Sequence, residues 1–151
     1  MEATGFNILL VENDPNDILF IQRAFRQADV TVTIQVVDDR DTVIDYLSGT
    51  GAYTDRDRYP LPRVILLDLK LSRRSGLEIL EWIKQQPFIK RIPVIVLTSS
   101  KETIDIDQSY DLGVNSYLVK PVNFKALSEM IALLGTYWLR LNEHPSVIAA
   151  D

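Results

Sequence analysis

An α/β architecture, a doubly wound sheet of five parallel strands with helices on both faces, follows from three features of the sequence. Phe6–Val11, Val64–Leu67 and Ile92–Leu97 are short, nearly unbroken apolar runs, the composition of strands buried on both faces as in a parallel sheet. Segments with apolar residues at helical spacing alternate with them, and such alternation builds parallel sheets through right-handed crossovers. Each run also stops abruptly at polar side chains (Glu12 and Asn13, Asp68, Thr98), where open α/β sheets bind their ligands.

The elements follow in order. FNILLV forms the first strand, and Asp14-Pro15 then supplies a cap residue and a proline at the first helical position. The helix behind them places Ile18, Ile21, Phe25 and Ala28 on one face, as core. Val32, Ile34 and Val36 alternate with polar residues, the period of a half-buried edge strand. Asp38-Asp39 or Asp41 caps a second helix carrying Val43, Ile44 and Leu47. A long loop, 48–62, contains Gly49, Gly51, Pro60, Pro62 and the charged run DRDR; it reads as solvated, either a binding surface or a plain insertion.

Val64–Leu67 runs into Asp68, and a polar segment, 72–76, follows. Taken alone, Asp68 is as readily a turn residue as a functional one. Leu77, Leu80, Ile83 and nearby Trp82 mark a third helix that Pro87 ends. Ile92–Leu97 closes at Thr98-Ser99-Ser100, and Glu102–Leu112 is a weakly amphipathic helix stopped by Gly113. Ser116–Val119 is a short last strand ending at Lys120-Pro121. From Phe124 a long helix carries Phe124, Leu127, Ile131, Leu134, Trp138 and Leu141 in one row and Met130, Leu133 and Tyr137 in a second. One row is enough to dock the helix, so the second predicts a partner; a broad core stripe is the plainer alternative. Five strands and five helices in this order suit the flavodoxin-like strand order 2-1-3-4-5.

Composition narrows the chemistry. The 151 residues suggest one domain, 1–151, with a core of about 6–139 and a tail over 140–151. A net charge of −5 does not favour nucleic acid as a partner. The chain has no cysteine, so disulfides and thiolate metal sites are excluded, and it has one histidine, His144, near its end, which reads as an ordinary surface residue. Zinc catalysis and Ser-His-Asp chemistry would need histidines elsewhere. No apolar run spans a membrane and the first residues do not form a signal peptide, so a cytoplasmic location is expected.

The strand ends share one edge of a parallel sheet, which collects Glu12, Asn13, Asp68, Thr98 and Lys120. Carboxylates and an amide oxygen suit a hard cation such as Mg²⁺. A hydroxyl and an ammonium suit a phosphoryl group. Together they point to phosphoryl transfer to Asp68, achieved by positioning and electrostatics.

ILLVEN with DP following, ILLDLKLSRRSG, IPVIVLTSS and YLVKP stand in the order of the receiver domain of two-component response regulators, and the chain resembles that family over roughly residues 6–139. The resemblance implies that Asp68 accepts a phosphoryl group from a sensor histidine kinase. It implies that Glu12, Asn13, Asp68 and the backbone carbonyl of Lys70 hold Mg²⁺, that Thr98 is the switch hydroxyl, Lys120 the phosphate-binding lysine and Tyr117 the aromatic that turns inward on activation. A cis peptide before Pro121 is also implied. The long loop before the third strand and the TYWL segment resemble single-domain regulators that pair with cyanobacterial phytochromes, which implies a phytochrome kinase as partner and a homodimer through Met130, Leu133, Tyr137, Trp138 and Leu141.

Three positions depart from the family pattern. Asn13 stands where the family usually has Asp, which removes one negative charge from the cation site; Asp14 is better explained as the helix cap. Lys70 is unusually basic beside a phosphoryl site, and is expected to compensate charge or to alter the lifetime of the acyl phosphate. Ser72 replaces the common Pro, with little effect expected. Three other functions compete, of which a flavodoxin-like nucleotide binder would want a Gly-rich phosphate loop that does not follow the first strand. A Mg²⁺-dependent aspartyl phosphatase of the haloacid-dehalogenase type needs a second Asp where this chain has Lys70. A degenerate receiver would bind partners without phosphorylation, a reading that Asn13 favours and that Asp68, Thr98 and Lys120 oppose.

Overall fold

A computed structural model describes residues 6–71 and 75–147. The strands are β1 (Phe6–Val11), β2 (Val32–Val37), β3 (Val64–Leu67), β4 (Val94–Thr98) and β5 (Ser116–Val119). Between and after them run α1 (Pro15–Gln27), α2 (Arg40–Ser48), α3 (Ser75–Gln85), α4 (Thr103–Asp111) and α5 (Phe124–Leu134), which a π-helical segment, Gly135–Leu141, extends. The five strands are parallel in the order β2-β1-β3-β4-β5. This is the doubly wound, flavodoxin-like arrangement.

The period of two in each strand divides the core between the two faces. Leu9, Val11, Ile65, Leu67, Val94 and Val96 meet Val43 and Leu47 of α2 and Leu80 and Ile83 of α3. Ile8, Leu10, Val64, Leu66, Ile95 and Leu97 meet Ile21 and Phe25 of α1 and Leu127, Ile131 and Leu134 of α5. Both faces of β3 are buried, so Leu66→Ala leaves a void that costs about 2–5 kcal/mol.

Local chemistry sets the boundaries. Asp14 is the N-cap of α1, accepting from the N–H groups of Asn16 and Asp17, and Pro15 occupies the first turn. Of the three candidate caps of α2, Asp39 is the one used, accepting from Thr42 at 2.8 Å. Gly49 ends α2 at φ +73°, a conformation that glycine adopts without strain.

Four expectations are corrected. The loop 48–62 is built, not merely solvated: Tyr46, Tyr53 and Tyr59 pack ring against ring, and the Tyr46 hydroxyl donates to the Pro60 carbonyl at 2.8 Å. Within the DRDR run, Arg56 donates to the carbonyls of Tyr46, Leu47 and Tyr59, so its charge seals the C-terminal end of α2. The last helix does not keep its period. The π-helical segment adds a residue to the turn, which carries Leu139 into the core (2% exposed) and turns Leu141 out (66% exposed). Finally, His144 is not an ordinary surface residue. Its ring nitrogens are buried beside Phe6 at the amino edge of the sheet, where Arg91 donates to the Ser146 carbonyl and Val147 packs on the core. That edge is opposite the one bearing Asp68. Ser72 lies outside the described residues.

Candidate phosphoryl-acceptor site

The carboxyl edge of the sheet is fixed by hydrogen bonds that carry the ladder one residue past the strands. Glu12 N–H donates to Val37, Asp68 N–H to Val11 and Lys120 N–H to Thr98, at 3.0, 3.0 and 2.7 Å. These bonds root the predicted side chains in neighbouring places. Glu12, Asp68 and Thr98 are buried, at 1%, 5% and 0% exposure.

Lys120 is the centre of the cluster. Its ammonium donates to Glu12 Oε1 at 2.6 Å, Asp17 Oδ2 at 2.7 Å and Asp68 Oδ2 at 3.1 Å, which uses all three of its N–H groups. Burial works against the charge on Lys120, but the bonds to Asp17 and Glu12 and the attraction of Asp68 outweigh it and raise its pKa. Burial likewise opposes ionisation of Asp68, yet its pKa is lowered, because the Lys70 N–H (3.0 Å to Oδ1), the Glu12 carboxyl and the Lys120 charge favour the carboxylate. Glu12 absorbs the strain of the cluster: burial, only partly offset by Lys120, and the nearby Asp68 push its pKa up to about 7.

Asp17 was not legible as a member of this site. It stands on the first turn of α1, three residues after the Asp14 cap, and reaches back over the strand ends; Glu12, Asp17 and Asp68 offer oxygens within 4.8 Å of one another. Asn13 is exposed and does something an Asp cannot: its side-chain amide donates to the Leu71 carbonyl at 2.5 Å, tying the β1–α1 loop to the β3–α3 loop. The Thr98 hydroxyl is buried without a hydrogen-bond partner among the described residues, at the strand end next to Asp68. Tyr117 is turned inward, its hydroxyl donating to the Ser100 carbonyl at 3.0 Å. Ser100 Oγ donates in turn to Asp105 Oδ2 at 2.6 Å, and Lys70 Nζ stands 3.7 Å from the same oxygen. So Lys70 joins α4 and not the centre of the pocket. The Lys120–Pro121 peptide is trans, contrary to the cis bond that the resemblance implied; a trans X–Pro bond is the commoner isomer, favoured by about 0.5–1 kcal/mol.

The donor set fits a hard divalent cation. Three clustered carboxylates carry more negative charge than the one ammonium cancels, and every candidate ligand is an oxygen. The buried Thr98 hydroxyl and the Lys120 ammonium suit the oxygens of a phosphoryl group.

A parallel sheet of this order with an acidic pocket at its carboxyl edge defines a class, and residues 8–132 match the family model described as "Response regulator receiver domain". The chain belongs to the response regulator receiver family, whose members are signalling proteins. It is 38% identical to the response regulator Rcp1 of Synechocystis over 87% of this chain and 88% of that one. It is also 38% identical to the probable methanogenesis regulatory protein FilR2 of Methanothrix harundinacea, over 93% and 88%. The structure superposes on the phosphorylated cyanobacterial phytochrome response regulator RcpA with a TM-score of 0.85 at 38% identity, covering 95% of this chain and all of that one. A Mn²⁺-bound form of Rcp1 gives a TM-score of 0.82 at 36% identity, covering 93% and 99%. No helix among the described residues is long and apolar enough to cross a membrane.

Proposed function

We propose that Asp68 is the phosphoacceptor of this regulator and that a sensor histidine kinase is its donor. The observation that carries the reading is the buried Asp68 carboxylate, held by Lys120 at 3.1 Å next to the buried hydroxyl of Thr98 at the neighbouring strand end. An oxygen of Asp68 attacks phosphorus, the bond from phosphorus to the kinase imidazole nitrogen breaks, and its electron pair stays on that nitrogen. Lys120 and Thr98 donate to the phosphoryl oxygens as charge redistributes over them. Glu12, Asn13 through its amide oxygen, Asp68 and the Lys70 carbonyl would hold Mg²⁺, which would supply positive charge that offsets the repulsion between carboxylate and phosphoryl group. The likeness to a Mn²⁺-bound regulator supports a divalent cation.

The likeness to the phytochrome response regulator RcpA supports a phytochrome as the kinase, and we place the regulator and its kinase in the cytoplasm. For the dimer, the structure leaves Leu133, Tyr137 and Leu141 exposed at 74%, 52% and 66% along one stripe, flanked by the half-buried Met130 and Trp138. We assign that stripe to a second copy, and sedimentation of wild type beside Leu133→Ser should show association in wild type alone. A phosphatase lacks support, because Lys70 stands where its acid/base carboxylate would be and pairs with Asp105.

Intact mass after incubation with Mg²⁺ and acetyl phosphate tests the reading. Wild type should gain one phosphoryl group and Asp68→Asn none. No gain on wild type at any Mg²⁺ concentration would instead make the protein a phosphorylation-independent binding module.

A further inference from the structure

Lys120 has three N–H donors and three carboxylates take them, at 2.6 Å (Glu12), 2.7 Å (Asp17) and 3.1 Å (Asp68). On the phosphoacceptor reading, upon which this inference rests, two of those partners are drawn into other work. One oxygen of Asp68 becomes the bridge to phosphorus, and Glu12 is wanted by the cation. Asp17 is the carboxylate left to hold the lysine.

The position of Asp17 suits that duty. It projects from the first turn of α1, which Asp14 and Pro15 fix through a capping bond to Asn16 at 2.8 Å and a longer one to Asp17 itself at 3.4 Å. Its side chain is 36% exposed, against 1% for Glu12, so it reaches the pocket from the solvent side of the lysine. Asp17 and Lys120 also line one wall of a cleft of about 240 Å³, together with Phe20, Pro121 and Phe124, so the pair stands between that cleft and the phosphoryl pocket. A carboxylate on this wall balances the pull of the two strand-end carboxylates on the ammonium, which stands 2.7 Å from Asp17 and 3.1 Å from Asp68. Without it, Glu12 and Asp68 hold the lysine between them, the nucleophile is more fully neutralised, and the freed N–H turns to water.

We propose that Asp17 is a positioning residue for phosphoryl transfer: it holds the Lys120 ammonium so that an N–H is presented to the phosphoryl oxygens once the group moves to Asp68. With acetyl phosphate as donor, an Asp68 oxygen bonds to phosphorus while the bond from phosphorus to the acetate oxygen breaks, its electron pair leaving on acetate. Asp17 touches neither partner and acts through Lys120.

The test compares full-length wild type, Asp17→Ala and Asp17→Asn, each shown to be folded by circular dichroism and thermal unfolding. Phosphorylation by acetyl phosphate is followed by intact mass at saturating Mg²⁺ and donor, and Mn²⁺ affinity is measured separately by calorimetry without donor. Asp17→Ala should slow phosphorylation by about tenfold, the lower end of what losing a charge-assisted hydrogen bond costs. Asp17→Asn, which keeps an acceptor but not the charge, should recover part of the loss, and Mn²⁺ affinity should fall by no more than about threefold in either variant. Wild-type rates in Asp17→Ala would overturn the proposal. So would a loss of Mn²⁺ affinity as large as the loss of rate, which would make Asp17 a cation ligand. An adduct on wild type with unchanged variant rates sinks this proposal alone, whereas no adduct on wild type sinks the Asp68 reading and this proposal with it.

Discussion

Replacing Lys120 with methionine keeps the unbranched stem of the side chain and removes the ammonium that three carboxylates share. Glu12 and Asp68 are then like charges in a buried site, at 1% and 5% exposure, with Asp17 beside them. Removing one partner of a buried ion pair costs roughly 3–5 kcal/mol when the remaining charge has no other compensation. Here it has one: Glu12 already has a pKa of about 7, and losing Lys120 pushes it higher still. Below that value Glu12 takes up a proton and the repulsion with Asp68 is relieved. The deficit is therefore large at pH 8 and small at pH 5.5. At pH 8 we expect a loss of about 3 kcal/mol, a fall in Tm of roughly 6–12 °C for a chain of this size. The sign for wild type follows from the same groups. Glu12 has a folded pKa above its ordinary 4.5, so its contribution to stability is present in acid and lost as pH rises through about 7. Lys120 has a raised pKa, so its contribution persists throughout this range and is lost only in strong alkali. The assay is urea unfolding of wild type and Lys120→Met at pH 5.5 and pH 8, with and without Mg²⁺. A variant as stable as wild type at pH 8 without Mg²⁺ would refute the picture of Lys120 as the charge that holds the pocket together.

Three further outcomes are expected. Leu139→Ala should cost about 2–5 kcal/mol and Leu141→Ala less than about 0.5, by urea unfolding; the reverse order would mean that the last helix keeps an α-helical register. Asn13→Asp should bind Mg²⁺ more tightly by calorimetry, yet lose about 1 kcal/mol of stability without the cation, because a carboxylate has no N–H for the Leu71 carbonyl. Asp39 has its pKa lowered by the Thr42 N–H, so its cap stabilises above the ordinary carboxylate range and fades as pH falls through the folded value; Asp39→Asn should flatten that acid limb of the stability curve.

The strand-end residues were legible because their argument needs only chain order. Once β1, β3, β4 and β5 are parallel, Glu12, Asp68, Thr98 and Lys120 must share an edge, and they do. Asp17 escaped because its membership depends on how α1 crosses the sheet, a tertiary fact. Its local signal, an acid three residues after a capping Asp, reads equally well as ordinary support for the helix dipole. The π-helical turn escaped for a related reason: a three-four spacing presumes an α-helix, and it places Leu141 in the core row where the structure puts Leu139, while Trp138 packs half-buried against the core. The clue was Leu134 and Leu139, five apart around Gly135, where an added Cβ would stand 3.3 Å from Val30. Arg56 was hidden in a run of alternating charge, which does not show that one of its members is needed by the carbonyls at the end of α2.

Locating the phosphoryl group on the chain tests the account most directly. Wild type treated with acetyl phosphate and Mg²⁺ would be reduced with borohydride, which converts an aspartyl phosphate to homoserine, then digested and sequenced by mass spectrometry. Homoserine is expected at position 68, with Asp17, Asp14 and Glu12 unmodified. Modification at any of those residues, or none at position 68, would contradict the account.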